Sequence, residues 1–212
     1  MEYYAKSRIQ GEEMKAVFIV GVKQSGKDVV GERFLKTGDY HLGKFSSLLK
    51  EATNKLAGYP DNFWETEAKN YPDDRGIHPR VFITTISEGL KKRFGRDIIT
   101  RCTLPSIIEK AGDKNLLFTD CRFPEEELAP VVKLLGKDNI TIIRVKRESI
   151  QRTGLRHNIK RFLAKKGMKF NDPYYAITEV FIDDIKEDNI IYNSSTLEHL
   201  VKIADVLVDS LK

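Results

Sequence analysis

The chain has 212 residues, 41% of them hydrophobic and 32% charged, with a formal net charge of +5. That composition suits one substantial core in one domain and fits a soluble globular protein rather than a disordered or membrane one. Two cysteines, Cys102 and Cys121, are too few for a disulfide framework, and no apolar run is long enough to span a bilayer. The opening stretch MEYYAKSRIQGEEMK lacks the apolar core of a signal peptide. The expectation is a cytoplasmic protein (host cytoplasm if the source is viral), with residues 1–14 as an extension ahead of a single domain, 15–212.

In chain order, AVFIV (16–20) is a short β-branched and aromatic run that predicts a buried strand. GVKQSGKD (21–28) follows, and KDVVGERFL continues with apolar residues at helical spacing. Helices are expected at about 44–57 and 79–94, separated by a Gly- and Pro-rich insert over 58–79. LLFTD (116–120), ITIIRV (140–145) and NIIYN (189–193) read as further strands, with helices at about 124–136, 148–166 and 195–211. Short apolar strands alternating with helices predict an α/β protein with a doubly wound parallel sheet of about five strands.

The excess positive charge is concentrated. Between Arg144 and Lys169 lie ten lysines and arginines against one acid, Glu148. An anionic partner is implied, whether a phosphorylated small molecule, a polynucleotide or a membrane surface.

GVKQSGKD supplies the spacing Gly-x4-Gly-Lys between a strand and a helix, which is the setting a phosphate-binding loop requires. Gly21 and Gly26 permit the backbone angles that turn amide N–H groups towards an anion. The helix beginning near Lys27 adds its positive end, and Lys27 reaches towards the outer phosphates of a nucleotide. Gly21, Lys23, Ser25, Gly26, Lys27, Asp28 and Val29 are the expected phosphate-binding residues. Asp28 stands where such loops normally offer a hydroxyl to magnesium. Its carboxylate suits Mg2+ as a hard oxygen ligand, and equally suits the first turn of a helix as a dipole partner.

GVKQSGKD resembles the loop GxKxSGKD of the bacteriophage deoxynucleoside monophosphate kinases, a variant shared by animal-type phosphomevalonate kinases. LLFTDCRFPEE (116–126) is similar to that family's strand ending in Asp-x-Arg. ITEVFIDD (177–184) and DNIIYNSSTLEHL (188–200) look like its Ser/Thr-Glu segment and its closing strand, loop and helix. The resemblance runs in order from about 15 to 211 and is loose over 58–115. It implies a P-loop NTPase-type fold with a lid, ATP as phosphoryl donor, Mg2+ as cofactor, and a (deoxy)nucleoside 5′-monophosphate as acceptor.

Site residues follow from position and resemblance together. Asp120, at the carboxyl end of a predicted strand, is a candidate magnesium or acceptor ligand, and also a candidate helix N-cap. Arg122 is expected to face an acceptor phosphate. The basic stretch of about 146–172 reads as a lid, with Arg147, Arg152 and Arg156 as its transfer arginines. A solvated helix and a polynucleotide-facing surface are the other readings of the same stretch. Lys50, Arg80 and Arg93 are acceptor-side candidates within about 44–100. Tyr59, Phe63 and Trp64 read as a base-stacking platform or as a small core. The loop of Asn193, Ser194 and Ser195 is expected beside the donor adenine, as the resemblance implies. The four histidines lack metal-ligand spacing. The alternatives are a phosphomevalonate kinase-like enzyme and a nucleotide-dependent nucleic-acid-binding module. A homodimer and a polynucleotide stay open as partners; a membrane is not expected.

Overall fold

The computed structural model describes residues 14–150, 154–168, 170 and 179–211. Five strands, β1 (Ala16–Val20), β2 (Tyr40–Gly43), β3 (Asn115–Phe118), β4 (Ile140–Lys146) and β5 (Asn189–Tyr192), form one sheet in the order β2-β3-β1-β4-β5. All four pairings are parallel. The central strand β1 is buried at every residue, as its continuous apolar run predicts for a strand covered on both faces.

Seven α-helices flank the sheet among the described residues: α1 (Lys27–Lys36), α2 (Ser47–Ala57), α3 (Pro79–Phe94), α4 (Ile98–Ala111), α5 (Ala129–Leu135), α6 (Leu155–Lys165) and α7 (Leu197–Ser210). Alternation along β1 assigns its side chains to two cores. Val17 and Ile19 meet Val30 and Phe34 of α1 and Leu200, Ala204 and Val208 of α7. Ala16, Phe18 and Val20 meet Leu104 and Ile107 of α4, Val131 of α5, and Ile182 and Ile185. Phe118 stacks between Phe18 and Phe45, with ring centroids 4.8 and 4.6 Å apart. Arg33 of α1 clamps Asp205 of α7 through two bonds of 2.5 and 3.0 Å, fixing the helix pair that shoulders the phosphate loop.

Several expected boundaries move. The helix predicted over 148–166 is a short 3-10 turn at Glu148–Ile150 and a separate α6 that starts after Gly154. The helix predicted over 124–136 opens as a π-helical turn, Pro124–Leu128, in which the Ala129 N–H reaches back to the Pro124 carbonyl. Two elements, β2 and α4, lie where no regular structure was expected. No helix among the described residues is long and apolar enough to cross a membrane.

Candidate active site

The phosphate loop leaves the carboxyl end of β1 and enters α1 through two left-handed residues, Gln24 (φ 67) and Gly26 (φ 101). Close approach explains its glycines. A Cβ on Gly21 would lie 2.5 Å from Ser25 Oγ and 2.7 Å from the Val145 carbonyl. One on Gly26 would lie 2.7 Å from Asn193 Nδ2 and 2.8 Å from Leu200 Cδ2. Ser25 is fully buried beneath the turn. The loop is braced from outside: Asn193 donates to the Ser25 carbonyl at 2.8 Å, Arg147 to the Gln24 carbonyl at 3.4 Å, and the Lys23 N–H donates to Glu179 at 3.0 Å.

Gly21, Lys23, Ser25 and Gly26 therefore form the loop, while Lys27, Asp28 and Val29 open α1 at its positive end. Lys27 keeps only 16% of its side chain exposed, and its ammonium lies 3.5 Å from the Asp28 carboxylate. Asp28 is 75% exposed, so its carboxylate is open to solvent at the rim.

β3 runs beside β1 in register at Phe18 and Phe118, so Asp120 emerges next to the start of the phosphate loop. Asp120 is half-buried, and its Oδ1 has no hydrogen-bond partner among the described residues. Burial raises its pKa, while Lys44, N–H groups of Asp120 and Phe45, and Arg122 oppose the rise. It does not cap the following turn. That role falls to Glu127, which accepts from the N–H groups of Arg122 at 2.5 Å and Phe123 at 3.0 Å. Burial pushes the Glu127 carboxyl up to about 7 against the pull of those two N–H groups. The Arg122 guanidinium lies 3.6 Å from Glu179 and stays 39% exposed towards the site. Cys121 is buried, and burial holds its thiol well above the ordinary value, so it packs and does not react.

On the other side of Asp120 the chain gathers cations. Burial lowers the pKa of Lys50 on α2; Asp120 opposes this, while Lys44, Lys69 and Arg80 deepen it. These five groups thus share one electrostatic neighbourhood, with Lys44 bonded to Thr119 Oγ1 at 3.2 Å and Arg80 to Asn70 at 2.8 Å. Arg93 does not join them. It is exposed near the far end of α3, thirteen residues and roughly 20 Å along the helix from Arg80. Lys91 takes the inward place there, 2.7 Å from Glu126 and over the ring of Phe123. Lys44 and Lys69 are the members that sequence reasoning missed. Lys44 directly follows β2, so reading that strand would have placed it at the ligand-binding edge.

Tyr59, Phe63 and Trp64 pack on one another: Tyr59 and Phe63 stack at 4.0 Å, and Trp64 meets Phe63 edge-on at 5.5 Å. Trp64 also donates to the Lys50 carbonyl at 3.4 Å, so this small core supports α2 beneath the cation cluster.

The basic stretch is divided. Arg147 reaches the phosphate loop, Arg156 is exposed on α6, and Arg152 lies outside the described residues. Much of the remaining charge faces inward. Arg144 is buried and bonds the carbonyls of Ile182 and Ile185 and the carboxylate of Glu187. Arg161 holds the Val180 carbonyl at 2.9 Å and Asp184 at 2.6 Å, and Lys165 pairs with the same Asp184. Leu155, Ile159 and Phe162 of α6 are exposed instead. In the loop after β5, Ser194 and Ser195 are exposed, whereas the Asn193 amide is turned into the phosphate loop.

Chemically, the site sets the glycine loop, the positive end of α1 and Lys27 beside Asp120, Arg122 and the cations that neighbour Lys50. Neither a protein-family model nor a curated protein matches the chain. Among solved structures it is similar to TT1252 from Thermus thermophilus at 13% identity, over 95% of this chain and 100% of that one, with a TM-score of 0.51. A dephospho-CoA kinase from Campylobacter jejuni aligns at 14% identity, over 95% and 99% of the two chains, with a TM-score of 0.44. A gluconokinase from Sinorhizobium meliloti 1021 aligns at 11% identity, over 95% of each chain, with a TM-score of 0.40. At such identities the likeness concerns the fold. With its strand order and loop, the chain has an α/β P-loop NTPase-like fold.

Proposed function

We propose that the chain is an ATP-dependent phosphotransferase whose acceptor is a small phosphorylated molecule, a (deoxy)nucleoside 5′-monophosphate that becomes the diphosphate. The observation that carries this reading is the gathering of Lys44, Lys69 and Arg80 about Lys50, with Asp120, at the strand end beside the phosphate loop, in the field of Lys44, Lys50 and Arg122. A neutral acceptor has no use for so many cations. The choice of a nucleotide as acceptor rests on the resemblance of GVKQSGKD and the Asp-x-Arg strand end to the phage-type kinases.

In this reading the loop N–H groups and the positive end of α1 hold the donor phosphates, with Lys27 on the outermost one. Lys50 and Arg80 hold the acceptor phosphate, whose oxygen is already anionic and requires no strong base. That oxygen attacks the γ-phosphorus in line, and the bond to the bridging β–γ oxygen breaks to leave ADP. Arg122 and Arg147 stand where negative charge spreads during transfer, and such positioned cations are the main catalytic resource in this chemistry. Arg152 and Arg156 are proposed as further lid contributors.

Magnesium asks for one or two protein carboxylates and fills its other positions with phosphates and water. Asp28, exposed at the loop rim, and Asp120, with a bare Oδ1, fit that demand. Bound there, Mg2+ would neutralise the donor oxygens. The deciding experiment is product formation from ATP and Mg2+ with a panel of monophosphates, including a non-nucleotide phosphomonoester. Conversion of one or a few nucleoside monophosphates is expected. Transfer only to the phosphomonoester would reassign the acceptor, and transfer to none would end the kinase reading.

A further inference from the structure

We propose that Glu179 is a positioning residue that ties the donor and acceptor halves of the site together by orienting Arg122 against the phosphate loop. The inference rests on the phosphotransferase reading for its catalytic consequence, though not for its geometry. Glu179 is buried, at 7% exposure, and uses its two carboxylate oxygens on two different partners. Oε2 accepts from the Lys23 N–H at 3.0 Å, while Oε1 faces Arg122 Nη1 at 3.6 Å. A second contact runs parallel to the Glu179–Arg122 pair: the ring of Phe181, two residues after Glu179, lies 5.6 Å from that of Phe123, next to Arg122. Arg122 is thus held at its backbone by Glu127 and at its guanidinium by Glu179, with its other donors left for a ligand.

The charge logic supports orientation over direct contact with substrate. A bare carboxylate beside two phosphates would repel them, but paired with Arg122 it forms a dipole whose positive end faces the site. A buried carboxylate also needs its partner, so Arg122 is confined to the region Glu179 can reach. The same segment anchors α6, because the Val180 carbonyl and Asp184 receive Arg161. The segment from Glu179 to Asp184 therefore meets the phosphate loop, the acceptor arginine and the basic helix.

The test compares wild type, E179Q, E179A, R122A and the R122A/E179Q pair, using ATP, Mg2+ and the best monophosphate of the panel. E179Q keeps an oxygen for the Lys23 N–H and the shape of the side chain, so its melting temperature and ATP affinity should stay near wild type. Its kcat should fall about 10- to 100-fold, the scale of a displaced catalytic group. In the double variant the loss should not exceed that of R122A by more than about twofold, because both changes remove one arrangement. A kcat for E179Q near wild type, or losses that multiply, would overturn the proposal. Two signals are read by NMR whether or not anything is turned over. The Lys23 amide should exchange faster in E179A than in wild type, and the Arg122 Nε–H resonance should move in E179Q. If neither signal changes, the tether does not exist. If both change while the wild type transfers phosphate to nothing, the tether stands and the kinase reading alone falls.

Discussion

The two halves of the proposed site, for donor and for acceptor, are built on different principles. The phosphate loop is held by backbone geometry: its glycines are excluded from carrying side chains by contacts under 3 Å, and Asn193, Glu179 and Arg147 bond its backbone from three sides. The acceptor half is held by side chains. Lys44, Lys50, Lys69 and Arg80 come from four separate segments from the end of β2 to α3, and Lys50 is repelled by the other three and attracted by Asp120. A rigid cradle suits a ligand that is the same in every cycle. A cluster of like charges suits an anion whose arrival relieves the repulsion, so acceptor binding should order this half and donor binding should not.

The largest effect that would break this contrast concerns Lys27. In Lys27→Ala, phosphoryl transfer should fall by about 10²- to 10³-fold or more, because a pre-aimed cation at the transferred group is lost. The fold should be little affected, since the polar contact of the Lys27 ammonium among the described residues is a long one, 3.5 Å, to Asp28. Steady-state turnover and a thermal melt check both halves of that statement. Turnover near the wild-type rate would mean that the loop is not the donor site.

Gly26→Ala sharpens the same half through the backbone. The left-handed φ of 101 and the two short approaches, to Asn193 and Leu200, both oppose a Cβ. The conformational term alone is about 1–2 kcal/mol. Because Asn193 also holds the Ser25 carbonyl, the loop should shift as it relieves the clash. Calorimetry should then show ATP affinity weakened about 10- to 100-fold, with a smaller loss of stability.

Legibility in the sequence follows the same division. The loop could be read because its requirements are local: a strand, two glycines, a lysine and a helix start within thirteen residues. The acceptor half could be read only in part, because its members are brought together by packing. Lys50 and Arg80 came from weak resemblance, and Arg93 was drawn in by the same resemblance although helix length carries it away from the cluster. β2 escaped because Tyr40–Gly43 is a four-residue edge strand with one buried residue. α4 escaped because its apolar residues are interrupted by Pro105 and do not form a single stripe. The basic stretch misled differently. Its charge was plain, but that Arg144, Arg161 and Lys165 are neutralised within the chain depends on an acidic segment 19 or more residues away.

Lys50→Ala and Arg93→Ala form a matched pair for the acceptor half. Removing Lys50 should raise the acceptor KM about 10-fold, leaving ATP affinity unchanged, as expected for one charge-assisted contact. Removing Arg93 should change neither constant. Equal effects from the two would show that the cluster acts through general charge, not through placement.

The smallest effect lies between the halves, at Glu127, and is read through stability. Burial holds its carboxyl at about 7, against an ordinary 4.5. As pH rises the unfolded chain therefore releases its proton first, while the folded chain retains it. Stability contributed by this group is full below about 4.5, declines as pH climbs towards 7, and is lost above. The size is of the order of 2–3 kcal/mol at most. Glu127→Gln keeps an oxygen for the N–H groups of Arg122 and Phe123 but cannot ionise. Its unfolding free energy, followed by denaturant titration between pH 5 and 8, should decline less steeply than that of the wild type. Equal slopes would mean that Glu127 is ionised in the fold, and that the Asp-x-Arg turn is held by a carboxylate beside Asp120. In that case the acceptor half would carry more negative charge at its base than the cation cluster is arranged to balance.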